Sequence, residues 1–294
     1  MPYEGILLID KPQGFTSFDV IAKLRGITKT KKIGHSGTLD PMATGVLPVF
    51  FGRAAKAVSI LPREDKRYLA QVQLGITTDT QDLTGKVLEK RPVQAGPEEV
   101  VQAARQFTGE IQQIPPMYSA LKVNGKKLCD LARQGIEVER QPRSITIYSL
   151  SARMIRPDLL ELDVHCSKGT YIRTLAADLG EKLGCGGALS ALRRTMAAGF
   201  VLKDCLSLEE VQALGNGLGE KLLPVEAAFS GLPQVQLPPR QARLFQNGVR
   251  LKIDQLQIHD PGRKAVFSEE GFLGTAFLEA GELRMEKLFR LADG

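Results

Sequence analysis

"SITIYSLSARMIRPDLLELDVHCSKGTYIRTLAADLGEKLG" (144–184) is the stretch on which the architecture turns. Residues 144–155 and 159–167 are rich in strand formers and flank the turn signal Arg156-Pro157-Asp158, so they read as paired strands. From residue 170 the period changes. Ile172, Leu175, Ala176, Leu179 and Leu183 fit one helical face, and Gly184 suits the position just past a helix end. Strand pairing followed by a lone helix, without regular strand–helix–strand alternation, argues for an α+β fold with a largely antiparallel sheet.

The same reading extends outward. "GILLID" (5–10) is a short buried strand closed by the turn Lys11-Pro12-Gln13-Gly14. Thr16 or Ser17 can cap a helix with Val20, Ile21 and Leu24 on one face, ending near Gly26. "VLPVFF" (46–51) reads as a strand and "AAKAVSIL" (54–61) as a short helix. In "RYLAQVQLG" (67–75), Tyr68, Ala70, Val72 and Leu74 face one way in a half-buried strand. "PEEVVQAARQF" (97–107) is a helix with Val100, Val101, Ala104 and Phe107 inward. At "GLPQVQLPPRQ" (231–241) three prolines mark a linker or a first strand. Beyond it, 265–289 reads as short strands broken by Glu-Glu-Gly and Glu-Ala-Gly turns. The expected division is therefore 1–232 and a small β-rich module at 233–294.

Bulk properties exclude several classes. The chain has 294 residues, 43% hydrophobic and 24% charged, an ordinary globular composition. No apolar run approaches the roughly 18 residues of a membrane span, and the N-terminus lacks a secretory pattern, so cytoplasm is the expected compartment. Cys129, Cys166, Cys185 and Cys205 form no C-x-x-C pair, and His35, His165 and His259 are scattered. Neither pattern has metal-ligand spacing, so no metal is expected.

Net charge is +6, and its distribution is uneven. Residues 1–70 hold eleven Lys and Arg against six acids, and 120–143 hold six against three. Such clustering fits a polyanionic partner and also fits a solvated basic surface.

"GHSGTLDPMATG" (34–45) follows Lys23, Arg25, Lys29, Lys31 and Lys32, with no acid among them. It places one carboxylate, Asp40, in a glycine-rich stretch. A carboxylate beside a cationic partner can serve as nucleophile or base; Asp before Pro is also common in ordinary turns. No G-x-x-x-x-G-K-[ST] phosphate loop is present, and no second acid stands two residues past Asp10 or Asp40 to hold magnesium.

Four ordered motifs carry a family resemblance: "DKPQGFTS" (10–17), "GHSGTLDPMATGVLPV" (34–49), "PPMYSALKVNGKKL" (115–128) and "CSKGTYIRTLAADLG" (166–180). Together they resemble the bacterial TruB family of tRNA pseudouridine synthases from about residue 3 to 230, with a weaker likeness to a PUA-type RNA-binding module beyond. The resemblance implies a pseudouridine synthase fold: a single mixed, largely antiparallel sheet with flanking helices and a central cleft. It implies isomerisation of a T-loop uridine of tRNA, at position 55 in tRNA numbering, without a cofactor. By the same resemblance Asp40 is the nucleophile, Arg173 its partner, and Tyr68 a platform for the flipped base. His35 then handles flipped-out nucleotides, Lys11 supports the loop and Leu192 lines the uracil pocket. Residues 116–143 resemble a mobile insertion whose Lys126 and Lys127 seek phosphate around an Asn124-Gly125 turn. The T-arm of tRNA is the expected partner, with no obligatory protein partner, no membrane, and a monomeric state. A tRNA-binding or tRNA-folding protein without essential catalysis is the competing reading; retention of Asp40, Arg173 and Tyr68 favours the enzyme.

Overall fold

The computed structural model describes residues 3–123, 125–252 and 260–290; Asn124 and His259 lie outside the described residues. The elements run β1 (Gly5–Lys11), α1 (Ser17–Thr28), β2 (Ile33–His35), β3 (Thr44–Phe51) and β4 (Lys66–Leu74). A small hairpin of β5 (Ile76–Thr78) and β6 (Val87–Lys90) precedes α2 (Pro97–Arg105) and β7 (Gly109–Gln113). Next come β8 (Lys122–Val123), β9 (Lys126–Lys127), α3 (Leu128–Arg133), β10 (Arg143–Arg156) and β11 (Leu159–Cys166). Then follow α4 (Ile172–Lys182), β12 (Gly187–Ala197), β13 (Phe200–Val201) and α5 (Leu208–Leu214).

The main sheet has the order β1-β3-β12-β4-β11-β10-β7, with β2 on β3 and β13 on β12. Every pairing is antiparallel except β3 with β12. The expected α+β class is what the chain adopts, and 144–167 forms the expected antiparallel pair. Alternation works as read: Tyr68, Ala70, Val72 and Leu74 of β4 are buried, together with Leu160, Leu162 and Val164 of β11. Helix α4 packs Ile172, Leu175, Ala176 and Leu179 into the same core.

The one parallel junction matters most for the site. Only Arg193↔Thr44 and Arg194↔Gly45 join β12 to β3. Gly45 has φ +107, and a Cβ there would overlap the Arg194 carbonyl oxygen, so only glycine lets the two strands approach this closely. Past the junction a cleft of about 330 Å³ opens, lined among others by Gln13, Met42, Thr44, Leu69 and Leu192.

Three local expectations are corrected. Helix α1 runs through Gly26 to Thr28, where the Thr28 hydroxyl donates to the Leu24 carbonyl (2.8 Å) and Lys29 takes the left-handed cap at φ 54. Val101 of α2 faces out, and Ala103 takes its place in the core. The segment 52–60 is a 3₁₀ helix.

Toward the C-terminus, β14 (Gln234–Gln236), α6 (Pro239–Gln246), β15 (Leu251–Lys252), β16 (Gly262–Ser268), β17 (Gly271–Glu279) and β18 (Glu282–Leu288) follow. They build a second sheet in the order β14-β16-β17-β18-β15. The proline-rich stretch at 231–241 thus supplies a strand and, unexpectedly, a helix that Pro239 opens. The turns at Glu269-Glu270 and Ala280-Gly281 stand where the sequence placed them.

Candidate active site

The loop between β2 and β3 carries Asp40, and four anchors hold it. Ser17, in the first turn of α1, has an Oγ that accepts from the Leu39 amide (2.9 Å). The Gly14 amide donates to the Pro41 carbonyl (2.8 Å). Lys11, fully buried, donates through Nζ to the carbonyls of Pro12 (2.9 Å) and Phe15 (2.6 Å) and reaches Pro41 O at 3.5 Å. Burial pushes the Lys11 ammonium down to about 8. Arg194, also fully buried, donates to the carbonyls of Gly37 (2.9 Å), Thr38 (3.4 Å) and Val46 (2.8 Å). Two cations satisfied by backbone oxygens therefore fix the loop from beneath.

Helix α4 brings the partner. Arg173 sits in its first turn, 5% exposed, with Nε 2.9 Å from the Asp40 carboxylate. The same guanidinium lies 3.8 Å from the Asp82 carboxylate and donates to the carbonyls of Thr80 (3.2 Å) and Tyr118 (2.8 Å). Its fork is thus fully committed, which a lysine could not reproduce. Asp82 is buried and held by the hydroxyls of Thr80 (2.8 Å) and Thr84. Burial raises the Asp40 carboxyl above its ordinary value; Arg173 pulls it back and the Asp82 charge pushes it up again. About a third of the Asp40 side chain remains exposed, two residues before Met42, which lines the cleft.

The other expected residues divide by place. Tyr68 lies on β4 opposite Arg194, buried in the core that includes Leu39 and Ala43, and burial raises its phenol. Leu192 lines the cleft. His35 lies at the end of β2, opposite Val49, half-buried, with Nδ1 buried and unpartnered. Burial and then the Arg194 charge lower its basicity, which favours the neutral ring. Lys126 and Lys127 are exposed on β9, outside the cleft, and Lys127 faces Lys122 of β8 across the ladder.

Asp82 and Arg194 were missed from sequence. The clue to Asp82 was the Thr-and-Asp-dense run "TTDTQDLTG" (77–85), whose hydroxyls are spaced to hold one carboxylate. Arg194 stands beside Arg193 with nothing in the sequence to say which is buried. Cys166 and Cys205 offer no competing nucleophile, since burial pushes their thiols to about 11 and about 12. Among the described residues, no group of three or more His, Cys, Asp and Glu side chains could hold a metal ion. No helix among them is long and apolar enough to cross a membrane.

This topology, with a partly exposed aspartate bonded to a buried arginine, defines the class: a pseudouridine synthase fold. A chain of the Cbf5-Nop10-Gar1 complex superposes at a TM-score of 0.77 with 25% identity, covering 98% of this chain and 86% of that one. The family follows from the sequence matches. The model of the TruB family pseudouridylate synthase N-terminal domain matches residues 25–172, and that of the tRNA pseudouridylate synthase B C-terminal domain matches 173–230. The tRNA pseudouridine synthase B of Clostridium kluyveri is 41% identical, covering 97% of this chain and 99% of that protein. That of Bacillus licheniformis is 46% identical, covering 92% and 91%. The chain belongs to the TruB family of pseudouridylate synthases, and is an isomerase.

Proposed function

We propose that this chain converts uridine to pseudouridine in tRNA, at the T-loop position, with Asp40 as nucleophile. The observation that carries the reading is the Asp40 carboxylate, partly exposed two residues before the cleft-lining Met42 and bonded to a buried Arg173 at 2.9 Å. A target base cannot be reached inside a stack, so the uridine is flipped into the cleft. Asp40 attacks the ribose C1′ or the base C6. The bond from N1 to C1′ breaks with its electron pair staying on N1, the uracil turns while held, C5 bonds to C1′, the bond to Asp40 breaks to restore its carboxylate, and the proton lost from C5 is balanced by one taken up at N1. Atoms and electrons balance within one nucleotide, so no cofactor is needed.

Tyr68 and Leu192 bracket the uracil in this reading, His35 meets flipped neighbours as a neutral ring, and Lys11 keeps the loop in place. The β8–β9 hairpin sets Lys122 directly opposite Lys127, a like-charge pair that is unfavourable by itself and is relieved by a phosphate. Residues 116–143 act as the RNA clamp, and 233–294 as a PUA-like RNA-binding module. The enzyme works as a monomer in the cytoplasm, where its four free thiols stay reduced.

The test is to incubate the chain with an unmodified tRNA transcript and map pseudouridine by chemical labelling, beside Asp40→Asn. The substitution should lower the rate by about 10⁴-fold or more. Equal product from the variant would remove Asp40 as nucleophile. A native chain that binds tRNA yet forms no pseudouridine would favour a binding or folding role.

A further inference from the structure

Helix α1 presents an outward stripe that the reaction does not use. Phe18, Ala22 and Arg25 recur at helical spacing, Lys29 follows as the left-handed cap, and all four are exposed. Among the described residues Phe18 is the most exposed large hydrophobic side chain, at 65%. The Arg25 guanidinium lies over its ring, 6.0 Å from the centroid, and the ring stays largely exposed. The nearest acid, Asp19, does not oppose this charge freely. Its carboxylate is taken up by the capping box, accepting from the Thr16 amide (2.8 Å) and hydroxyl (2.7 Å). Lys31 and Lys32 continue the positive charge beyond Lys29, and both are exposed.

The stripe is also fixed relative to the chemistry. Phe18 follows Ser17, whose hydroxyl is bonded to the Leu39 amide next to Asp40. Gln13, in the turn before α1, lines the cleft itself. An exposed aromatic ring with cations along and just past the same helix, tied through Ser17 to the loop of Asp40, matches how proteins hold unpaired RNA: bases stack and phosphates meet Arg or Lys. An apolar protein partner would find one ring in a row of cations.

We propose that Phe18 is an accessory stacking platform for a second, unpaired nucleobase of the RNA substrate, with Arg25 and Lys29 taking the phosphates that follow it. This rests on the RNA reading above. It adds a recognition residue on α1, outside the cleft.

The test is binding of an unmodified tRNA transcript, measured in an Asp40→Asn background so that no turnover intervenes, with matched steady-state kinetics in the active enzyme. Phe18→Ala should weaken binding by about 5- to 30-fold, the range for loss of one base stack on an open surface. Phe18→Leu keeps apolar area without a π face and should lose as much, whereas Phe18→Trp should restore binding. The loss should fall on KM more than on kcat. Arg25→Ala should reduce the slope of log K against log salt by about one, while Phe18→Ala leaves the slope unchanged. Circular dichroism of each variant controls for folding; position 18 is on the surface. A native chain that binds tRNA while Phe18→Ala and Phe18→Leu bind equally well overturns the platform alone. A native chain that binds no RNA overturns both readings together. Phe18→Ala that abolishes self-association and spares RNA binding assigns the ring to a second copy and overturns the platform.

Discussion

Burial pushes the Asp40 carboxyl up and the Arg173 charge draws it down, with burial the larger influence. In the proposed reaction ionised Asp40 is the nucleophile, so activity should fall on the acid side at a pH above the ordinary aspartate value near 3.9. Asp82 adds a like charge, so Asp82→Asn should move that acid limb of kcat/KM to lower pH. It should also lower kcat by roughly ten- to a hundredfold, because Arg173 loses an anchor and its aim. An acid limb that stays in place would remove Asp82 from the electrostatics of the site. The same shift bears on stability. A carboxyl whose folded value is raised binds its proton more tightly when folded, so its ionisation opposes folding at neutral pH and the penalty is relieved as pH falls through the folded value. Asp40→Asn should therefore melt no lower than the native chain while being inactive, and a clear drop in Tm would contradict this. Arg173→Met should do the opposite. It leaves the buried Asp82 and the partly exposed Asp40 without their shared cation, at a cost of about 3–5 kcal/mol in urea unfolding.

The element that aims Arg173 is α4, and its placement depends on one glycine. A Cβ on Gly180 would overlap the backbone of Gly186 and Gly187 at the start of β12. The Gly180 carbonyl also accepts from the amides of Cys185 (3.2 Å) and Gly186 (2.9 Å), which close the helix onto the strand. Gly180→Ala should force α4 away from β12, destabilise the chain by about 1–3 kcal/mol in urea unfolding, and reduce kcat through Arg173. Unchanged stability would mean that the helix shifts freely. Regular elements were legible in the sequence because their periods survive burial: the 144–167 pair, β4 and the inward face of α4 follow from alternation and helical spacing alone. Ends and partners were not. Helix α1 passes its expected stop because an exposed Gly26 costs only about 1 kcal/mol and Thr28 and Lys29 close the helix instead. Helix α6 was hidden because prolines at a helix start look like prolines in a linker. Of the site, Asp40 and Arg173 came from motif resemblance. Their companions Asp82 and Arg194 depend on a three-dimensional meeting of β4, β12 and two loops that no local pattern encodes.

At the scale of the whole molecule, the C-terminal sheet is packed onto the main body. Phe229, which precedes the second sheet, stacks on Phe272 (5.7 Å between centroids) and meets Phe289 (5.6 Å). One buried cluster joins these rings to Ile6, Val46 and Phe50 of the main sheet. Arg263 crosses the same boundary. It pairs with Glu286 (2.7 Å), donates to the Ile60 carbonyl and lies over the Phe229 ring. If 233–294 is an RNA-binding module, it is held as part of a rigid surface rather than on a free tether. The chain should then unfold in a single calorimetric transition, with van't Hoff and calorimetric enthalpies equal. Phe229→Ala removes a ring from both sides of the boundary at about 3–5 kcal/mol, which in a chain of this size lowers Tm by roughly 5–15 °C. Two resolved transitions in the native chain would show that the sheets fold independently. The RNA consequence can be read separately. If the module binds RNA, an intact boundary holds it in fixed register with the main body, so Phe229→Ala should weaken tRNA binding at temperatures below its own melting point. Binding that is unchanged there would mean that the module contributes stability alone.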